Sequence, residues 1–293
     1  MRFARSVLLF SLPILSIRVL AQQQSPQPTQ GTVTAVSLVQ QSLGALTGGT
    51  SVTDVTLTGT VIVVTPHSDP KSGSSSVLPA SSFTTESGTI ALTATAAGQS
   101  QVIVSLPSGT RMNLRDYSAG KHTGVSTNPQ GTTPERADNL VGPSPAWFYP
   151  AFILSKTTSE NFSASYIGQE TKNSAPVQHL VLRPPVTRLG PPLNPGSRVV
   201  GLHDVYLDPG TALPLVLVRN NEIYVQHPEK LAPVRQRSIY FPEEIRYSEY
   251  QAVQGMPVPF HIQVYEKDKL SLDIQLSSVS FNTGVVIPTP PTN

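Results

Sequence analysis

The chain has 293 residues, no cysteine, 28 prolines, 13% charged side chains and a formal net charge of +2. The lack of cysteine excludes disulfides, thiolate metal sites and cysteine nucleophiles together, and the length suffices for a sizeable core in one large or two small domains. No basic run of five or more residues occurs, which argues against nucleic acid as a partner.

The first 21 residues have the layout of a cleavable signal peptide. Arg2 and Arg5 form a positive start, Val7 to Ile17 is apolar, and Val19-Leu20-Ala21 offers a small-residue cut before Gln22. The apolar run is about half of the ~20 residues a spanning helix needs, so no transmembrane segment is expected in the mature chain. Loss of Arg2, Arg5 and Arg18 turns the net charge to −1. Low charge with abundant Ser, Thr and Pro then suits an exported β protein, periplasmic or extracellular. The expected organisation is a signal peptide over 1–21, a flexible polar leader over 22–31, a single domain over 32–287 and a disordered tail over 288–293.

The first ordered element is predicted as a helix from Val33 to Leu46, with Val36, Val39, Leu43 and Leu46 on one face and Gly48-Gly49 stopping it. From there the period becomes two. Val55, Leu57, Gly59, Val61 and Val63 share a face opposite Thr56, Thr58 and Thr60. Ile90, Leu92, Ala94 and Ala96 follow, then Val102, Val104 and Leu106, then Met112 and Leu114 between Arg111, Asn113 and Arg115. Each reads as a half-buried antiparallel strand. The link from Pro66 to Ser87 has loop composition, and residues 118–145 hold few apolar side chains.

Residues 146–154 (AWFYPAFIL) form the densest aromatic cluster, read as a short helix or lid segment, with an ordinary core plug as the other reading. Hairpins return at Tyr166–Thr171 and Val177–Arg183 around Lys172-Asn173-Ser174, and at Val200–Leu207 and Leu213–Arg219 around Asp208-Pro209-Gly210. Pro184-Pro185 and Pro191-Pro192 mark a stiff loop. Glu243-Glu244 is read as part of an exposed loop between Pro242 and Ile245. Val258, Phe260, Ile262 and Val264 alternate, as do Leu270, Leu272, Ile274 and Leu276 against Asp273. The phase then slips to Val279 and Phe281, which predicts a β-bulge near Ser277-Ser278.

The order is one helix, four strands, an aromatic segment and about seven more strands in meander order, without strand–helix–strand alternation. With Leu46 and Gly48-Gly49, Val55 to Val63, Tyr166-Ile167-Gly168-Gln169-Glu170-Thr171 and Val205-Tyr206-Leu207-Asp208, it resembles the LolA/LolB-like lipoprotein-carrier superfamily. Within it, the likeness is greatest to an uncharacterised family of exported bacterial proteins. The closest likeness is the closing run Tyr247-Ser248-Glu249-Tyr250, Gly255, Pro257-Val258-Pro259-Phe260 and Phe281-Asn282. The resemblance implies a mainly β (α+β) fold: a single curved antiparallel sheet forming an unclosed half-barrel around one or two helices. A sheet with one apolar face and few helices to cover it must curl, which suits that fold; a two-sheet sandwich is the competing solution.

No G-x-S-x-G, H-E-x-x-H, phosphate loop or EF-hand loop is present, and the six His are scattered. His203 and Asp204 are neighbours, but a strand would send them to opposite faces. The reading is therefore a non-enzymatic protein with no metal or cofactor. It holds an apolar ligand, lipid or acyl, in the half-barrel cavity; the alternative is an interaction or sensor module facing an envelope protein. The cavity or lid candidates are Trp147, Phe148, Phe152, Phe260, Ile262, Leu272 and Ile274.

Overall fold

In the computed structural model the described residues are 34–66, 83–116, 123–134, 145–159, 162–183, 187–188, 198–224 and 239–290. The signal peptide and leader expected over 1–31 lie outside them.

Helix α1 spans Ala35–Thr47. Thr34 begins it with a capping box: Oγ1 of Thr34 accepts from the Ser37 amide, and Oγ of Ser37 accepts from the Thr34 amide, each at 3.1 Å. Gly48 ends it in the left-handed region, φ 57°. The buried face is Ala35, Leu38, Val39, Ser42 and Leu46, so the stripe is rotated from the expected one: Val36 is outside and Leu38 inside.

The strands are β1 (Asp54–Pro66), β2 (Phe83–Thr95), β3 (Gln99–Leu106), β4 (Gly109–Asp116), β5 (Thr123–Asn128), β6 (Gly131–Pro134), β7 (Ser163–Lys172), β8 (Ala175–Arg183), β9 (Thr187–Arg188), β10 (Arg198–Leu207), β11 (Pro214–Tyr224), β12 (Ile239–Val253), β13 (Met256–Glu266) and β14 (Lys269–Phe281). A 3-10 turn at Pro145–Phe148 and helix α2 at Pro150–Ser159 stand between β6 and β7. One antiparallel sheet runs β6-β5-β4-β3-β2-β1-β14-β13-β12-β11-β10-β8-β7, with β9 paired to β10 beside this path. The first and last strands thus zip together in mid-sheet, while β6 and β7 end the path, and the sheet stays open.

Local chemistry sets the register. Asn173-Ser174, Gln254-Gly255 and Lys267-Asp268 all take positive φ, as tight two-residue hairpin turns require. The bulge predicted near Ser277-Ser278 is present. Thr58 pairs with Ser278 and Gly59 with Leu276, leaving Ser277 as the extra residue. Gly59 sits at this step because a Cβ there would collide with the Gln275 carbonyl. The slip brings Phe281 into the core and Val279 against it.

The concave face carries one continuous core built from Val55, Leu57, Val61, Ile90, Leu92, Ile245, Ile262 and Ile274 with both helices and the aromatic segment. α1 packs on α2 and β13, and the 3-10 turn on β2 and β3.

Four expectations need correction. The strands number more than foreseen, because β5 and β6 lie in the stretch read as poorly patterned and β9 in the Pro-rich loop. The segment from Pro66 to Ser87 is not all loop: β2 starts at Phe83, and Ser87 pairs with Ile62. β4 turns Leu114 outward, where it is buried with Val125 and Ile287, so the tail laid over the convex face supplies the cover that made an apolar side chain stable there. This tail is described to Pro290, which is itself buried. Finally, Glu243-Glu244 is no exposed loop; both lie inside β12, and Glu243 is 4% exposed.

An aliphatic cavity floored by a buried ion pair

β1, β2, β13, β14, β11 and β12 bring one set of ends together, and there the concave face opens into a cavity of about 660 Å³. Its walls are Val63 and Val64 of β1, Pro242 of β12, and Leu270 and Leu272 of β14. Phe83, Glu266, Lys267 and Lys269 line it as exposed residues and so form its mouth. Arg219 and Glu243 line it as buried residues and form its floor on that side, where Glu243 is the direct cross-strand partner of Glu266.

The floor follows from strand register. Arg219 shares the inward phase of β11 with Leu217, and Glu243 that of β12 with Ile245 and Tyr247. The two are direct cross-strand partners, and Arg219 Nη2 stands 2.7 Å from Glu243 Oε2. Burial pushes the Glu243 carboxyl up from its usual range, against the pull of Arg219. Arg115 also pulls the carboxyl down and Glu266 pushes it up, and removal of either partner of so dry a pair leaves the other without its nearest opposite charge.

The aromatic segment backs this floor. The Arg219 guanidinium lies 5.3 Å from the Trp147 ring centroid, and the Trp147 ring meets His203 edge-on at 4.7 Å. Burial and the Arg219 charge push the His203 pKa down to about 3, so this imidazole is neutral. Tyr247 donates its hydroxyl proton to the Trp147 carbonyl at 2.6 Å, which fixes the segment to β12. A left-handed backbone at Glu249 (φ 55°) interrupts the alternation, so Tyr247 and Tyr250 both pack on the core.

The expected site residues are only partly gathered here. Leu272 lines the cavity, and Trp147 touches it through Arg219. Phe148, Phe152, Ile262 and Ile274 are buried in the shared core, with Phe260 packed against it. Arg219, Glu243, Val63, Leu270 and Phe83 were missed. The available signal was a charge in the apolar phase of each of two consecutive strands, with opposite signs.

The convex face is different. His203 and Asp204 point to opposite faces, as expected: Asp204 accepts from Asn220 at 2.7 Å and lies 2.9 Å from His179 Nε2. His261 Nε2 lies 2.7 Å from Asp273 and its Nδ1 3.2 Å from the Ser248 hydroxyl, while Gln263 donates to Asp273 at 3.0 Å. This row laces β12, β13 and β14 on the face away from the cavity. Among the described residues no group of three or more His, Asp or Glu is placed to hold a metal ion. No helix among them is long and apolar enough to cross a membrane.

No family model matches the chain, and no curated protein matches it. Solved structures do. A DUF1329 family protein from Desulfovibrio piger aligns over 87% of this chain and 96% of its own at 10% identity, TM-score 0.50. A domain described as an outer membrane lipoprotein-sorting protein, from Vibrio parahaemolyticus, aligns over 86% and 94% at 13% identity, TM-score 0.49. A LolA superfamily protein from Nitrosomonas europaea aligns over 85% and 94% at 11% identity, TM-score 0.46. At such identities the likeness is one of fold. One antiparallel sheet, left open and packed on two helices, is the fold this chain shares with the DUF1329 family protein.

Proposed function

We propose that this chain is an exported, non-enzymatic binding protein that carries an apolar ligand, a lipid or acyl chain, in the cavity at the open end of its half-barrel. One observation carries the reading: the cavity of about 660 Å³ walled by aliphatic side chains. That volume falls within the ~300–1,000 Å³ of small-molecule sites, which are mostly apolar with a few placed polar groups. Apolar wall left wet forgoes ~25 cal/mol per Å², so a ligand that dries it is favoured. Export rests on the signal-peptide pattern of residues 1–21.

An environment-sensitive fluorescent fatty acid is expected to bind the mature protein saturably and to be displaced by unlabelled lipid. Native mass spectrometry of the purified protein is expected to show bound lipid. Well-folded protein with no saturable binding would overturn the reading. It would favour the second one, an envelope interaction or sensor module, which draws on the filling of most of the concave face by α1, the 3-10 turn and α2.

A further inference from the structure

We propose that filling this cavity with a ligand drives a proton onto Glu243, so that the ligand is held more tightly as pH falls and released as pH rises. The inference rests on the carrier reading and adds to it the condition that governs loading and release. Four charged side chains form one rung across the concave face. Arg219 on β11 pairs with Glu243 on β12, Glu243 with Glu266 on β13, and Glu266 with Lys269 on β14. All four line the cavity. The two carboxylates in the middle are direct cross-strand neighbours, an arrangement that sheets disfavour because like charges there repel.

The direction follows from which members of the rung are already dry. Arg219 and Glu243 are buried, so a ligand changes little in their attraction. Glu266 is exposed, and water screens its charge from Glu243. An apolar ligand displaces that water, and the repulsion between the carboxylates grows as the local dielectric falls. Lys269 stands two strands from Glu243, about 10 Å at ordinary strand spacing, and offsets little of it. A proton on Glu243 removes the repulsion. Burial and Glu266 both push that carboxyl up, while Arg219 and, from β4, Arg115 pull it down. The other charged groups at this end, Lys267 and Asp268, lie exposed in the β13–β14 turn. His203 behind Arg219 is neutral, and burial pushes the Tyr247 hydroxyl up, so neither supplies the proton step.

Two measurements test the linkage. A long-chain fatty alcohol has no titratable group near neutral pH, so a proton taken up when it binds belongs to the protein. Calorimetry in buffers of different ionisation enthalpy is expected to show uptake of up to one proton. Affinity is expected to fall by up to about tenfold per unit as pH rises between about 5 and 8. Uptake should shrink in Glu266→Gln and vanish in Arg219→Met/Glu243→Leu, with the alcohol still bound and circular dichroism checking the fold. The second measurement needs no ligand. Trp147 is the only tryptophan and lies 5.3 Å from the Arg219 guanidinium, so its emission should step as Glu243 titrates. The step should move to lower pH in Glu266→Gln. Saturable alcohol binding without proton uptake, or uptake and an emission step unchanged in Glu266→Gln, would overturn the linkage and leave the carrier reading standing. Absence of saturable binding by both the alcohol and the fluorescent fatty acid would overturn the carrier reading itself.

Discussion

Glu243 and Glu244 are neighbours in the chain, yet β12 sends them to opposite faces of the sheet and into opposite electrostatic conditions. On the concave side Glu243 has one cation at 2.7 Å, almost no water, and a carboxyl pushed up by burial. On the convex side burial would also raise Glu244, but Lys172 at 2.8 Å, Arg246 at 2.6 Å and a hydrogen bond donated by the Asn173 amide outweigh it and hold the carboxyl low. Side-chain chemistry is identical in the two. What differs is how much water and how many donors each face leaves in reach.

The largest expected effect comes from splitting the concave pair. Arg219→Met alone strands Glu243 and should cost about 3–5 kcal/mol in urea unfolding, whereas Arg219→Met/Glu243→Leu should return to wild-type stability or above. Equal costs for the single and double variants would mean that the pair is not held in a dry site. Next comes a contrast within β14. Ile274, fully buried on the concave side, should lose about 2–5 kcal/mol on truncation to Ala. Asp273→Ser, on the other face, gives up its bonds to His261 and Gln263 at partial exposure and should cost about 1 kcal/mol. Lys172→Met removes one partly exposed partner of Glu244 and should cost no more than about 1 kcal/mol.

The smallest and most diagnostic difference is in pH. The folded pKa of Glu244 lies below its ordinary 4.5, so its stabilising contribution is present above pH 4.5 and fades as pH falls through the folded value. Glu244→Gln should therefore lose less stability than wild type on acidification below pH 4.5. The folded pKa of Glu243 lies above 4.5, so its contribution is present below that pH and is lost as pH rises through the folded value. The Arg219→Met/Glu243→Leu variant should lack that loss. Unfolding free energies across pH 3 to 8 for the three proteins check both signs.

Much of this was legible before any tertiary contact was known. The strand patterns of β1, β13 and β14, the place of the hairpin turn at Asn173-Ser174, and the bulge at Ser277 all follow from periodicity and backbone preference. Those are local properties, readable within a dozen residues. The rotated face of α1 and the outward Leu114 were not legible, because each depends on a neighbour far along the chain. α1 turns its buried face to α2 and β13, and Leu114 is covered by Ile287.

The site divides the same way. Sequence by itself determined a mainly β chain with one apolar phase per strand and an aromatic segment needing burial. It supplied Arg219 only as the end of a strand and Glu243 only as part of an exposed loop. Only the tertiary structure decided that they meet, because pairing β11 with β12 puts their Cα positions in register. The same closure of β1 onto β14 gathers Val63, Leu270 and Leu272 into one wall, from segments some two hundred residues apart in the chain. Period and turn chemistry act over a few residues, whereas a cavity is the space left when distant strands pack, so no local signal can specify it.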